Sequence, residues 1–183
     1  MSVTSIHETI NGYILEYLNK YELEETANVF VRELARKGVA VWRTPQMEYE
    51  MKLKSMLEQA LLDCDEEGFQ RVWGPIADSV DDTAAEHLDF KIQLYFAIYP
   101  INKSTYARDM SMLKFREYLG RVSPGICASE QFLCYFALPY VKDPKVHPSY
   151  CKLFTVSWVQ ELLAQINLFI TKSLSFSRSE ERR

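Results

Sequence analysis

The chain has 183 residues and a formal net charge of -4, and 48% of its residues are apolar. That is enough for one compact domain with its own core, or for a small element attached to one. The negative balance argues against a phosphate-binding surface and so against nucleic acid. No apolar run approaches the roughly 20 residues that span a bilayer, and no charged-then-apolar export signal opens the sequence.

Helical spacing dominates from the start, and strand alternation is nearly absent. Ile10, Ile14, Tyr17 and Leu18 form one stripe, and Leu23, Ala27, Phe30 and Leu34 a second. They predict two amphipathic helices, over 6–20 and 23–37, joined by a tight turn. Helices this short are marginal alone in water, so the hairpin must lean on something. Two hairpins related by a two-fold axis would bury both stripes in a small four-helix core. These eight residues are therefore the expected homodimer interface. Gly38 closes the hairpin, and the apolar Val39 to Trp42 anchors it within a connector of residues 38–44.

Further helices are predicted over 45–64, 66–80, 84–101, 105–120, 129–138, 148–156 and 158–174, forming one bundle across 45–174. Ser5-x-x-Glu8, Thr83-x-x-Glu86 and Ser157-x-x-Gln160 have the form of capping boxes. Thr44 before Pro45 offers an N-cap with proline at the first helical position, and Gly38, Gly68 and Gly120 sit where helices should stop. Gly74-Pro75 should kink or divide its helix. Leu88, Ile92, Leu94, Tyr95, Phe96, Ile98 and Tyr99 wrap most of a helix in apolar surface, which places it at the bundle's centre. Trp158, Leu162, Ile166, Phe169 and Ile170 form the stripe that closes the bundle. The polar tail over 175–183 is expected to be disordered.

No residues stand in a catalytic pattern. No serine or cysteine has a nucleophile-elbow context, and no Gly-rich phosphate loop is present. Cys64, Cys127, Cys134 and Cys151 contain no C-x-x-C pair and read as free thiols of a reducing compartment. With His7, His87 and His147 they would need long-range convergence to hold zinc. Asp63, Asp65, Glu66 and Glu67 lack the ligand spacing of a calcium loop. The reading is no enzyme, no metal and no cofactor. Pro139, Pro144 and Pro148 interrupt an aromatic stretch, so the chain must leave helix after Leu138 and re-enter near Pro148. A rigid corner packed on the last helix through Phe136, Tyr140 and Phe154 is one reading. The other is a preformed partner groove lined by Phe136, Tyr140, Val146, His147, Tyr150 and Phe154.

Two resemblances sharpen this. Ile10 to Leu34, INGYILEYLNKYELEETANVFVREL, resembles the LisH motif, a dimerising helical hairpin of centrosomal, microtubule-linked and ubiquitin-ligase scaffold proteins. Tyr17-Leu18, Thr26-Ala27, Phe30 and Glu33 stand at the motif's positions, and Glu22 replaces the glycine that many members carry in the turn. Phe96-Ala97-Ile98-Tyr99, Ala137-Leu138-Pro139 and Val146-His147-Pro148-Ser149 follow in an order similar to the N-terminal region of the LisH- and armadillo-repeat-containing family of basal bodies and cilia (armadillo repeat-containing protein nine). That resemblance implies a cytoplasmic, cytoskeletal scaffold at the basal body, centriole or cilium, with other ciliary proteins as partners. It also implies armadillo repeats beyond Arg183 and no catalytic residues. The competing reading is a LisH-containing scaffold subunit of a ubiquitin-ligase complex.

Overall fold

The computed structural model describes residues 3–21, 23–39, 45–80, 83–102 and 105–180. Among these the chain is all-α, with no strand. Its helices are α1 (Val3–Lys20), α2 (Glu24–Arg36), α3 (Pro45–Asp63), α4 (Glu66–Asp78), α5 (Thr83–Ile98), α6 (Thr105–Leu119), α7 (Pro124–Ala128), α8 (Glu130–Leu133) and α9 (Val156–Glu180). Short 3₁₀ segments cover Tyr99–Asn102, Cys134–Tyr140 and Cys151–Phe154. The chain divides into two compact units, one of Met1–Leu53 with Leu174–Arg183 and the other of Lys54–Ser173. The division falls at Leu53, inside α3, and not in the 38–44 connector; residues 40–44 of that connector lie outside the described residues.

In the first unit α1 and α2 pack against each other. The end of α2 shows why Gly38 was legible. Its φ is +66°, the left-handed region where a Cβ is costly. There the Gly38 N–H donates to the Ala35 carbonyl (3.1 Å) and the Val39 N–H to the Leu34 carbonyl (3.0 Å), the paired bonds of a Schellman cap. The same closure ends α3, with the Cys64 N–H donating to Leu61 (3.1 Å) and the Asp65 N–H to Ala60 (2.8 Å). Here the left-handed residue is Cys64, with φ 57°, so no glycine marked the stop. Gly68 is not a terminator but lies inside α4, where its N–H donates to the N-cap carboxylate of Asp65 at 2.9 Å.

The second unit is built around α5, whose residues from Leu88 to Ile98 are nearly all buried. On one side Phe90, Leu94, Ala97 and Ile98 join Met112 and Phe115 of α6, Ile126 of α7, Phe132 of α8, and Leu138, Tyr150 and Leu153. The other side of the core brings Phe69 against Phe96 (5.6 Å between ring centroids) and Trp73 against Phe169 (5.2 Å). Leu162, Ile166, Phe169 and Ile170 of α9 are buried, as their spacing predicts, with Trp158 half-buried above them. The Tyr95 hydroxyl, raised in pKa by burial, donates to the Leu61 carbonyl at 2.9 Å.

Several local expectations shift. α4 runs unbroken through Gly74 and Pro75; Pro75 is exposed and the helix ends at Asp78. α9 is capped two residues earlier than Ser157 suggests, by Thr155, whose Oγ1 accepts from the Trp158 N–H at 3.3 Å. Its backbone stays helical to Glu180, across most of the tail expected to be disordered. Ser5 lies inside α1, which begins at Val3. The helix expected over 129–138 is α8 followed by 3₁₀ turns that continue through Pro139 to Tyr140. The short α7 was not foreseen; its start is capped by Ser123, whose Oγ accepts from the Ile126 N–H at 3.3 Å. Within 148–156 only Cys151–Phe154 is helical, as 3₁₀, before α9 begins.

Candidate functional site

Three places carry side chains able to recognise something. The first is α1, which has two apolar faces. Gly12 and Leu15 are buried, as is Ala27 of α2, the helix that α1 packs against. Ile6, Ile10, Tyr13, Ile14, Tyr17 and Tyr21 remain exposed, Ile10 at 48% and Tyr17 at 59%. At 3.6 residues per turn those six occupy an arc of about 100° roughly opposite Leu15. Of the expected interface, Ile10, Ile14 and Tyr17 lie on this open face, and Leu18 is half-buried at its margin. On α2, Ala27 is buried, Phe30 and Leu34 are half-buried and Leu23 is exposed. The sequence reading missed Leu15, the residue that α1 spends on its own hairpin. It also missed Ile6, Tyr13 and Tyr21, which extend the exposed stripe.

The second is the proline corner, and its six expected residues do not share one surface. Tyr140 is 73% exposed and Val146 76% exposed, whereas Tyr150 is a core residue. The Tyr150 hydroxyl donates to the Cys134 carbonyl at 2.7 Å, and its ring stacks on His147 at 4.7 Å. Phe136 stacks on Phe90 of α5 (6.4 Å), and Phe154 packs on the same core. Phe136 and Tyr140, expected on one surface, part company in the local backbone. The 3₁₀ segment repeats every three residues. That places Tyr135, Leu138 and Val141 on the inward face and turns Ala137 and Tyr140 out to solvent.

The third was not foreseen. Between α4, α5, α6 and α7 lies a cleft of about 680 Å³. At its floor the Asp89 carboxylate accepts from Trp73 Nε1–H and from the Tyr118 hydroxyl, each at 3.2 Å. The buried amide nitrogen of Gln70 approaches the same carboxylate without completing a hydrogen bond of normal geometry. Burial holds the Asp89 carboxyl above its ordinary pKa; Tyr118, Trp73 and the Gln70 amide pull it back, and the negative charge of Asp78 adds to the rise. Tyr118 is itself raised, by burial and then by the charge of Asp89. Glu86 and Arg121 also line the cleft. The available signal in the sequence was Asp89, an acid set between Leu88 and Phe90 on the helix predicted to lie at the centre.

This geometry sets a pH dependence. A carboxyl whose folded pKa lies above its unfolded value binds its proton more tightly in the folded chain. Its contribution to stability is therefore complete below the ordinary value of 3.8 and is lost as pH rises through the raised one. The melting temperature of the wild type should fall relative to Asp89→Asn as pH climbs from about 4 into that window, and the difference should be flat at neutral pH. Parallel melting curves across the range would place the carboxyl in water instead.

Among the described residues, no group of three or more His, Cys, Asp or Glu is placed to hold a metal ion. No described helix is long and apolar enough to cross a membrane.

A family model described as the Armc9, CTLH-like domain matches residues 50–176, which takes in most of α3 and all of α4 to α8. The chain belongs to the Armc9 family. It is 32% identical over 178 residues to the LisH domain-containing protein ARMC9 of Danio rerio, covering 91% of this chain and 22% of that protein. The Rattus norvegicus protein of that name is 31% identical over 178 residues, covering 90% and 24%, and the Homo sapiens one 30% over 177 residues, covering 90% and 22%. The chain thus spans about a quarter or less of these curated relatives' length. No solved structure matches it. The Asp89 cleft lies inside the matched Armc9 region, and the open face of α1 precedes it.

Proposed function

We propose that this chain is a non-catalytic homodimerisation and protein-interaction module at the N-terminus of a basal-body or ciliary scaffold. The exposed apolar face of α1, from Ile6 to Tyr21, carries the dimer reading. A helix that already buries Gly12 and Leu15 has no folding reason to carry a second apolar face in water. The resemblance of Ile10 to Leu34 to a dimerising hairpin and the LisH domain in the relatives' names support the same reading. The ciliary site rests on the family resemblance, and its partners would be other basal-body or ciliary proteins in the cytoplasm.

Light scattering on the purified chain tests the dimer. A mass near twice the 21.4 kDa monomer, falling towards one monomer on dilution, is expected; a monomer at all concentrations overturns the reading. A tagged full-length protein in a ciliated cell tests the location. Concentration at the basal body or axoneme is expected. A diffuse signal, together with recovery of ubiquitin-ligase subunits and no ciliary proteins in a pulldown, would favour the ligase scaffold.

A further inference from the structure

We infer that the cleft between α4 and α7 is a receptor for an arginine side chain presented by a partner protein. Asp89 is the anchor. Each of its oxygens accepts one completed hydrogen bond from a neutral donor, Trp73 or Tyr118, and the Gln70 amide approaches without completing a third, so the carboxylate keeps lone-pair capacity. A planar guanidinium donates two parallel N–H bonds to such a carboxylate. Among the described residues no cation is paired with Asp89; the charge acting on it is the like charge of Asp78. Arg121, the one cation lining the cleft, is exposed and donates its Nε–H to the Glu117 carbonyl at 3.3 Å. Asp78 and Glu86 line the same cleft, so its field is negative and draws a cation inward.

Space and shape fit the same occupant. The opening admits a side chain of arginine's length, and at Gly74 an added Cβ would meet no atom within 4 Å. The half-buried Tyr118 supplies aromatic surface beside the carboxylate, against which a guanidinium packs well, while Trp73 lies buried behind it. The buried Gln70 amide nitrogen approaches the same carboxylate and adds a third neutral donor beside it, but no charge to offset it. Folding alone does not call for the charge. An asparagine at 89 would still accept from Trp73 Nε1–H, and its amide would donate to the Tyr118 oxygen, because a hydroxyl serves in either role. The uncompensated charge is thus a cost in the free chain that a cationic guest would relieve.

The site lies in the second unit and does not depend on the hairpin's self-association, so a chain found to be monomeric would still bind. The test is an NMR titration of the full chain with acetyl-arginine amide, followed at the Trp73 indole N–H and compared with acetyl-citrulline amide. Citrulline keeps the shape and removes the charge. A saturable shift with arginine, at least tenfold weaker with citrulline and lost in Asp89→Asn, is expected. Asp89→Asn should also melt at the same or a higher temperature than the wild type at pH 7, which shows that lost binding is not lost folding. No shift of the Trp73 indole with arginine, an equal shift with citrulline, or a shift that survives in Asp89→Asn overturns the proposal.

Discussion

Phe90→Ala is expected to cost about 3–5 kcal/mol of stability, the usual range when a fully buried phenylalanine is truncated. Phe90 has no exposed surface, and its ring meets five others from three elements: Phe115 (6.0 Å) and Tyr118 (6.1 Å) of α6, Phe132 of α8 (4.6 Å), and Tyr135 (6.1 Å) and Phe136 (6.4 Å) of the 3₁₀ segment. It holds the irregular C-terminal half of the unit to the central helix. These short segments have few main-chain bonds of their own, so the void would sit where the backbone can least span it. Against a typical total of 5–15 kcal/mol, the variant should be close to unfolding at 37 °C. Tyr140→Ala, at the solvent face of the same corner, should stay within about 0.5 kcal/mol of the wild type. Denaturant midpoints decide both. A Phe90→Ala loss below about 1 kcal/mol, or a Tyr140→Ala loss above it, would mean the corner is packed the other way round.

The contrast between those two positions shows how far the sequence could be read. The long helices were legible because their apolar residues recur at 3.6, as in Leu162, Ile166, Phe169 and Ile170, and because Gly38 marks a stop that needs positive φ. Where the backbone departs from that period the reading failed. The chain was expected to leave helix only after Leu138, but 3₁₀ turns from Cys134 to Tyr140 put Phe136 on the core and Tyr140 in solvent, and no local signal marks where that period changes. Cys64 closes α3 in a conformation where glycine is the usual marker, so that stop left no trace. The Asp89 cleft was hidden for another reason. Trp73, Asp89 and Tyr118 come from three helices, and only tertiary packing joins them; an acid inside an apolar run was a hint without a partner. On α1 the residues were visible but their division was not. Ile14 and Leu15 are adjacent and equally apolar, yet one is exposed and the other buried.

That division decides how self-association should be broken, and the double variant Ile10→Glu/Ile14→Glu is expected to be monomeric at concentrations where the wild type is a dimer. Both side chains are exposed in the single chain, Ile10 at 48% and Ile14 at 39%, so the changes should alter the fold of one chain by no more than about 0.5 kcal/mol each. Covering the part still open to water is worth on the order of 1 kcal/mol per side chain. With six such residues on each of two copies, the gain is comparable to the cost of association, about 4–15 kcal/mol. An interface so balanced is concentration-dependent and cannot absorb the desolvation of four carboxylates, two from each copy, which costs several kcal/mol per charge. Leu18→Glu would be the poorer probe. Leu18 is half-buried, and its carbonyl accepts from the Leu23 N–H at 3.0 Å where α1 ends, so a charge there threatens the hairpin as well as any dimer. Light scattering at matched concentrations reads the mass, and circular dichroism reads the helices. A double variant that remains dimeric moves the interface off this face of α1. One that loses helical signal shows that the face belongs to a core within the chain.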